Sequence, residues 1–215
     1  MTKLPNVLLT GFDAFGGASV NPSWLAVQAL NGEILQGHRL VAAALPTTFA
    51  GSTTELSRLL KAHRPALVIC VGQAGGRSAI SLERIAINVA DASMADNDGA
   101  QPLDVPVKTA GPAGYFSTLP IKAMLLALQD SRIPAEVSQT AGTFVCNQVF
   151  YALMYTLARQ RGSSRARGGF IHVPWLPEQG SPAMALDMMV KGLRIATDCA
   201  LMTSADLAHG AGRVS

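Results

Sequence analysis

Three side chains in this sequence have types and settings suited to cleaving an amide: Cys146, His172 and Glu83. Cys146 falls in AEVSQTAGTFVCNQVFYALMYTLARQ, where a short strand and a Gly-containing turn lead into a long apolar helix. A thiol at a helix N-terminus feels unpaired backbone N–H groups and the positive end of the helix dipole, and both favour thiolate. Downstream, GGFIHVPWLP reads as a short buried strand ending in His172. A Cys at a helix head and a His at a neighbouring strand end are the nucleophile and base of a cysteine hydrolase. Glu83, in SLERIAIN at the head of an alternating strand, is placed to hold the imidazole in one tautomer and stabilise its charged form. Each residue also has a plainer reading. Free Cys is among the most buried residue types, a lone His is commonly semi-buried, and Glu83 could pair with Arg84.

These residues need elements to carry them. Apolar runs at 6–11 (NVLLTG), 38–46 (HRLVAAALP) and 66–72 (ALVICVG) read as buried strands. Helices follow in WLAVQALNG, capped by Asn21 or Ser23 and stopped by Gly32, and in FAGSTTELSRLLKAHRP, halted by Pro65. RIAINVA reads as a strand with a polar hairpin at ASMADNDGAQP. Helix STLPIKAMLLALQDS, strand AEVSQ, the Cys146 helix, strand GGFIHVP and a last helix from about 182 to 202 complete the order, with a loose tail over 204–215. Alternating short apolar strands and helices imply a single α/β domain over 1–215: three layers, α/β/α, with a mixed, largely parallel sheet. Ligands in such sheets sit at the carboxyl ends of strands. That rule gathers FDAFGG, QAGGRS, the turn before Cys146 and HVPW at one edge.

Composition narrows the class. Of 215 residues 49% are hydrophobic and 14% charged, as in a core-rich globule. The longest apolar runs are too short to span a bilayer, and MTKLPNVLLTGF lacks the regions of a signal peptide. Three widely spaced cysteines (Cys70, Cys146 and Cys199) fit a reducing cytoplasm better than a disulfide framework. The net charge of +3 has one concentration, Arg159, Arg161, Arg165 and Arg167, in a Gly/Ser loop without aromatics; it reads as a solvated helix end rather than a nucleic-acid patch. His38, His63, His172 and His209 are scattered, and DNDG at 96–99 reads as a turn, so no metal or cofactor is expected.

GFDAFGG and VGQAGGRS are Gly-rich turns after strands, but neither matches G-x-G-x-x-G or a P-loop. Phe12 and Phe15 are either core residues folding back onto the sheet or the flat wall of a pocket for a small ring.

Taken in order, GFDAFGG…NPS, VGQAGGRSAISLERIAIN, the DN-DG pair, AGTFVCNQVFYALMY and GFIHVPWLP resemble the pyrrolidone-carboxylate peptidases (pyroglutamyl peptidase I), the C15 cysteine peptidases. The resemblance spans nearly the whole chain. It implies a Glu83–Cys146–His172 triad and a lactam pocket. The pocket would have Phe12, Phe15, Thr47, Phe144 and Val145 as its apolar wall, Asn21 and Gln73 as hydrogen-bonding partners, and Met94 along its lining. It further implies peptide substrates with N-terminal pyroglutamate, a thioacyl-enzyme intermediate, a homotetramer, and neither membrane nor nucleic-acid partners. The chain departs from the family at Ser93-Met94-Ala95, where an Arg-Ile-Pro-like run is usual, so the basic residue at the position of Ser93 is missing. Two other readings make less use of these residues. One is a nucleoside phosphorylase-like enzyme with phosphate on the Gly-rich loops; the other is a non-catalytic module holding capped peptide ends.

Overall fold

The computed structural model describes residues 4–160 and 165–212. The chain order is β1 (Asn6–Phe12), α1 (Pro22–Ala29), β2 (Ile34–Leu35), β3 (His38–Leu45), α2 (Phe49–His63), β4 (Leu67–Gln73) and β5 (Ile80–Glu83). There follow β6 (Ile85–Ile87), β7 (Gly114–Phe116), α3 (Ile121–Asp130), β8 (Ala135–Ser138), α4 (Val145–Ala158), β9 (Arg167–Val173) and α5 (Leu186–Met202). Seven strands form one sheet in the order β2-β3-β1-β4-β9-β5-β8. Strands β3, β1, β4 and β9 run parallel, while β5 meets β9 antiparallel and carries β8 parallel to itself. The sheet is therefore mixed and largely parallel, as the sequence pattern implies.

The period-2 alternation of the strands sorts two cores. Val7, Leu9, Leu67, Ile69, Val71, Ile171 and Val173 pack on one face with Val27, Met124, Leu128, Met189 and Leu193, from α1, α3 and α5. Leu8, Phe12, Val68, Cys70 and Phe170 pack on the other with Leu56, Leu59, Val149 and Leu153, from α2 and α4. Each fully buried Leu or Ile contributes about 1.5–3 kcal/mol relative to exposure. Gly72 and His172 share strand parity with Cys70 and Phe170, so they belong to the α2/α4 face.

Four expectations are corrected. RIAINVA is not one strand headed by Glu83: Glu83 ends β5, Arg84 breaks the run, and β6 leaves the main sheet to pair antiparallel with β7. The polar stretch after β6 forms a turn at Asp96–Gly99 and a single bridge, Ala90 with Val105, instead of a strand hairpin. The last helix starts at Leu186, because residues before it are extended, with Ala183 forming a parallel bridge to Trp175. The segment after α5, read as loose, is anchored at Asp206. Its carboxylate accepts from Lys122 N at 3.1 Å and Ala123 N at 3.0 Å, capping α3, whose own N-cap is Pro120.

The arginines near the α4–β9 connection disperse. Arg159 stacks over Tyr155 at 4.8 Å, and Arg167 donates to the carbonyls of Thr203 and Ala200 at the end of α5. Arg161 lies outside the described residues.

Candidate active site

The site is built outward from Gly72. On β4 it pairs in register with His172 on β9. A Cβ at Gly72 would stand 2.7 Å from Cys146 Sγ and 2.8 Å from Phe170 Cζ. The missing side chain is thus what lets the thiol settle onto the sheet beside the His172 strand. His172 is buried with its ring 4.8 Å from that of Phe170. Its Nδ1 lies 2.7 Å from Glu83 Oε1. An Nδ1–H donating to a carboxylate leaves Nε2 with its lone pair free to accept a proton.

Glu83 is fully buried on β5, diagonal to His172 across the strand pair. Arg77 Nη1 reaches the same Oε1 at 2.7 Å, and Arg77 Nη2 donates to Thr140 O at 3.3 Å. Burial pushes the Glu83 carboxyl up. The hydrogen bond and charge of His172, with the hydrogen bond from Arg77, more than offset this and hold it below its ordinary range. Arg84, the alternative partner, turns to Gln139 instead.

Cys146 is the second residue of α4, whose N-cap, Phe144, makes no side-chain cap bond. Helix-start N–H groups lacking an intrahelical acceptor are donors available to a ligand. Opposing influences meet at this thiol. Burial pushes the Cys146 thiol up to about 12, the Glu83 charge adds to this, and Arg77 pulls only partly the other way. Cys146 nevertheless keeps part of its surface open, and the helix terminus acts on the thiol in the opposite sense. Asn147, wholly buried, fixes the helix start: its side chain accepts from Ile87 N at 3.0 Å and donates to Ile87 O and Val89 O, each at 2.9 Å.

The approach of the loops also differs from expectation. FDAFGG, QAGGRS and HVPW follow β1, β4 and β9, which run together. The turn before Cys146 follows β8, which runs opposite to β9, so it reaches the site from the other direction.

Phe15, Gln73 and Met94 line a cleft of about 550 Å3 together with Trp175 and Gln179. Phe144 stands beside it, 6.2 Å from Phe15 and edge-on to Phe49 at 5.2 Å. Phe12 and Val145 lie in the core beneath, Phe12 packing against Phe170 at 6.4 Å. Asn21 and Thr47 commit their polar groups to the loop: Asn21 Nδ2 and Thr47 Oγ1 both donate to Asp13 O, at 2.9 and 3.0 Å. Asn21 Oδ1 also caps α1 through Ser23 N. Ser93 is exposed; the guanidinium of Arg77 is a cation held at the Glu83 carboxylate. Among the described residues no three His, Cys, Asp or Glu gather as metal ligands, and no helix is long and apolar enough to cross a membrane.

The profile of the Peptidase_C15 family, described as pyroglutamyl peptidase, matches residues 5–203. The chain belongs to the pyroglutamyl peptidase family. It is 53% identical to a pyrrolidone-carboxylate peptidase of Cupriavidus taiwanensis over 98% of this chain and 100% of that one. It is 48% identical to one from Bacillus licheniformis, over 97% and 98%. The crystal structure of pyroglutamyl peptidase I from Bacillus amyloliquefaciens superposes with a TM-score of 0.93 at 45% identity, covering 97% of this chain and all of that one. As a pyroglutamyl peptidase family member the chain is an enzyme.

Three residues that shape this candidate site did not stand out in the sequence. Arg77 sits inside the GGRS turn, and Asn147 directly follows the nucleophile candidate. Asp13 accepts from Thr47 N at 2.7 Å through its carboxylate, and from Asn21 and Thr47 side chains through its carbonyl. The one available signal was a polar residue inside an apolar helix face, at Asn147.

Proposed function

We propose that this enzyme is a cysteine exopeptidase that removes N-terminal pyroglutamate from peptides through a thioacyl-enzyme, with Cys146 as nucleophile, His172 as general base and acid, and Glu83 as the orienting acid. The observation that carries the reading is the Cys146 sulphur resting on Gly72, the register neighbour of His172, whose Nδ1 is held by a buried carboxylate. Because the thiol is pushed up to about 12, its proton leaves as the sulphur attacks the pyroglutamyl carbonyl, and His172 takes it. Glu83 compensates the imidazolium so formed. The N–H of Cys146 at the head of α4 donates to the developing oxyanion. His172 then returns the proton to the departing amine, and water activated by the same imidazole releases pyroglutamate.

The lactam would lie in the cleft against Phe15, Phe144 and Met94, with Gln73 bonding its polar edge and Phe12, Val145, Asn21 and Thr47 supporting the wall from behind. A flat, uncharged ring suits such a slot, whereas an ordinary N-terminal ammonium group would lose its water there unpaired. A cytoplasmic homotetramer completes the proposal, supported by the family resemblance and by exposed apolar side chains such as Phe116 and Met202 that subunit contacts could cover.

The deciding experiment is hydrolysis of a pyroglutamyl–chromophore amide with and without iodoacetamide. Cys146→Ala and His172→Ala should abolish turnover with the fold intact, and Glu83→Gln should be less damaging. Turnover by folded Cys146→Ala, or insensitivity to alkylation, refutes the assignment.

A further inference from the structure

Arg77 comes from the loop between β4 and β5 and touches two parts of the site at once. Its Nη1 shares Glu83 Oε1 with His172, each at 2.7 Å, and its Nη2 bonds Thr140 O in the turn that launches α4. The same turn is braced by Gly142 N donating to Thr140 Oγ1, and by Thr143 Oγ1 donating to Asp91 O. A fully buried carboxylate needs a charged partner, and an imidazole that gains and loses a proton each turnover cannot serve as a permanent one. A guanidinium is always charged, and its planar fork can bond a carboxylate and a carbonyl together. Arg77 is about a quarter exposed, so it also connects this buried pair to the surface.

We infer that Arg77 is a positioning residue of the hydrolytic site, holding Glu83 ionised and fixed between His172 and the turn that presents Cys146. The inference rests on the proposed triad. By sharing Oε1, Arg77 sets a permanent positive charge beside His172 and takes up part of the carboxylate charge that faces the imidazole. Among the described residues the ionisable groups tied to that imidazole are Glu83 from β5 and, through it, Arg77 from its loop; Cys146 from α4 and Cys70 from β4 share the same face of the sheet, and burial pushes the Cys70 thiol up to about 12. Farther out, Glu136 of β8 lines the hollow beside Arg77 and accepts from Ser81 Oγ.

Arg77→Met and Arg77→Lys test this through three readings: kcat and KM on a pyroglutamyl–chromophore amide across pH, melting temperature, and NMR titration of the His172 ring in the free protein. Arg77→Met should lower kcat roughly 10- to 100-fold through misplacement of the relay. Its KM should stay within about threefold. The acid limb of its kcat/KM profile should move to higher pH, and His172 should keep its proton to higher pH than in the wild type. Arg77→Lys, restoring charge without the fork, should recover the wild-type limb and only part of kcat. A rate lowered equally at every pH with an unmoved His172 titration overturns the inference and leaves Arg77 a structural residue. If the wild-type protein does not cleave the amide, the peptidase reading fails, and the His172 titration still decides the role of Arg77. Should Arg77→Met not fold, Arg77→Gln, which keeps hydrogen bonds without charge, carries the same test.

Discussion

The sulphur of Cys146 occupies the space that a side chain at Gly72 would fill, 2.7 Å from where its Cβ would stand. On the other side of that space is Phe170, fully buried and packed against both Phe12 and Phe150. A methyl group here must displace one of the two, and the thiol is the less confined. Gly72→Ala should therefore swing Cys146 off its seat beside the His172 strand. We expect kcat to fall about 100-fold, as for displacements of about 1 Å in a catalytic pair. The accompanying stability loss should be about 1–3 kcal/mol, typical of overpacking. A Gly72→Ala enzyme with wild-type kcat would show that the sulphur does not work from this position.

Asn147, itself wholly buried, ties the head of α4 to the half-buried segment at Ile87–Val89 by three hydrogen bonds. Asn147→Leu keeps the volume but leaves one N–H and two carbonyls without their partner. Unpaired buried groups cost about 1–3 kcal/mol each before relaxation, so we expect a loss of about 3 kcal/mol in urea unfolding. The rate should fall as well, because the residue before Asn147 is the proposed nucleophile. An unchanged unfolding midpoint would rule out the clamp.

The sequence made the framework legible through its periodicity. The two-residue alternation in β1, β4 and β9 and the apolar faces of the helices come from local patterning, and the structure follows them. The direction of β8 was not legible. Reversing a strand of four residues leaves its pattern unchanged, and only its pairing with β5 across distant sequence decides it. The site shows the same split. Cys146, His172 and Glu83 stood out by residue type and flanking motif, whereas Arg77 acquires its meaning only when the loop after β4 folds back onto Glu83. A helix start is visible in the residues, but the burial that pushes the Cys146 thiol up is not.

That burial gives a pH prediction. The thiol is pushed up to about 12, and only thiolate is alkylated at an appreciable rate. Iodoacetamide inactivation of the free enzyme should therefore keep accelerating as pH rises past 9. Cys70→Ala and Cys199→Ser should leave the pH dependence intact, since Cys70 is wholly buried. A plateau in the alkylation rate between pH 6 and 8 would mean that a thiolate–imidazolium pair exists before substrate binds, contrary to a protonated resting thiol.

Asp96 offers a test with a definite sign. Its Oδ2 accepts from Phe49 N at 2.7 Å, capping α2, while Oδ1 accepts from Asp98 N at 2.9 Å and Ala100 N at 2.8 Å. Burial pushes the carboxyl up, but bonds from the N–H groups of Phe49, Ala100, Asp98 and Gly99 outweigh it and hold the group below its ordinary value of 3.8. The unfolded chain then binds its proton first as pH drops. The stabilisation is thus fully present above 3.8 and is lost as pH falls through the lower, folded value. Asp96→Asn turns one acceptor into a donor facing backbone N–H, which should cost about 1–2 kcal/mol at pH 7, the range for losing a helix cap. The gap to the wild type should narrow in acid, where the wild-type carboxyl is protonated too. The neighbouring Asn97 donates to Ala14 O at 2.9 Å and so secures the loop carrying Phe15. Slackening the Asp96 turn should consequently raise KM more than it lowers kcat. Equal unfolding midpoints at pH 7, or a gap that stays constant down to pH 3, would show that the Asp96 charge does not hold this corner.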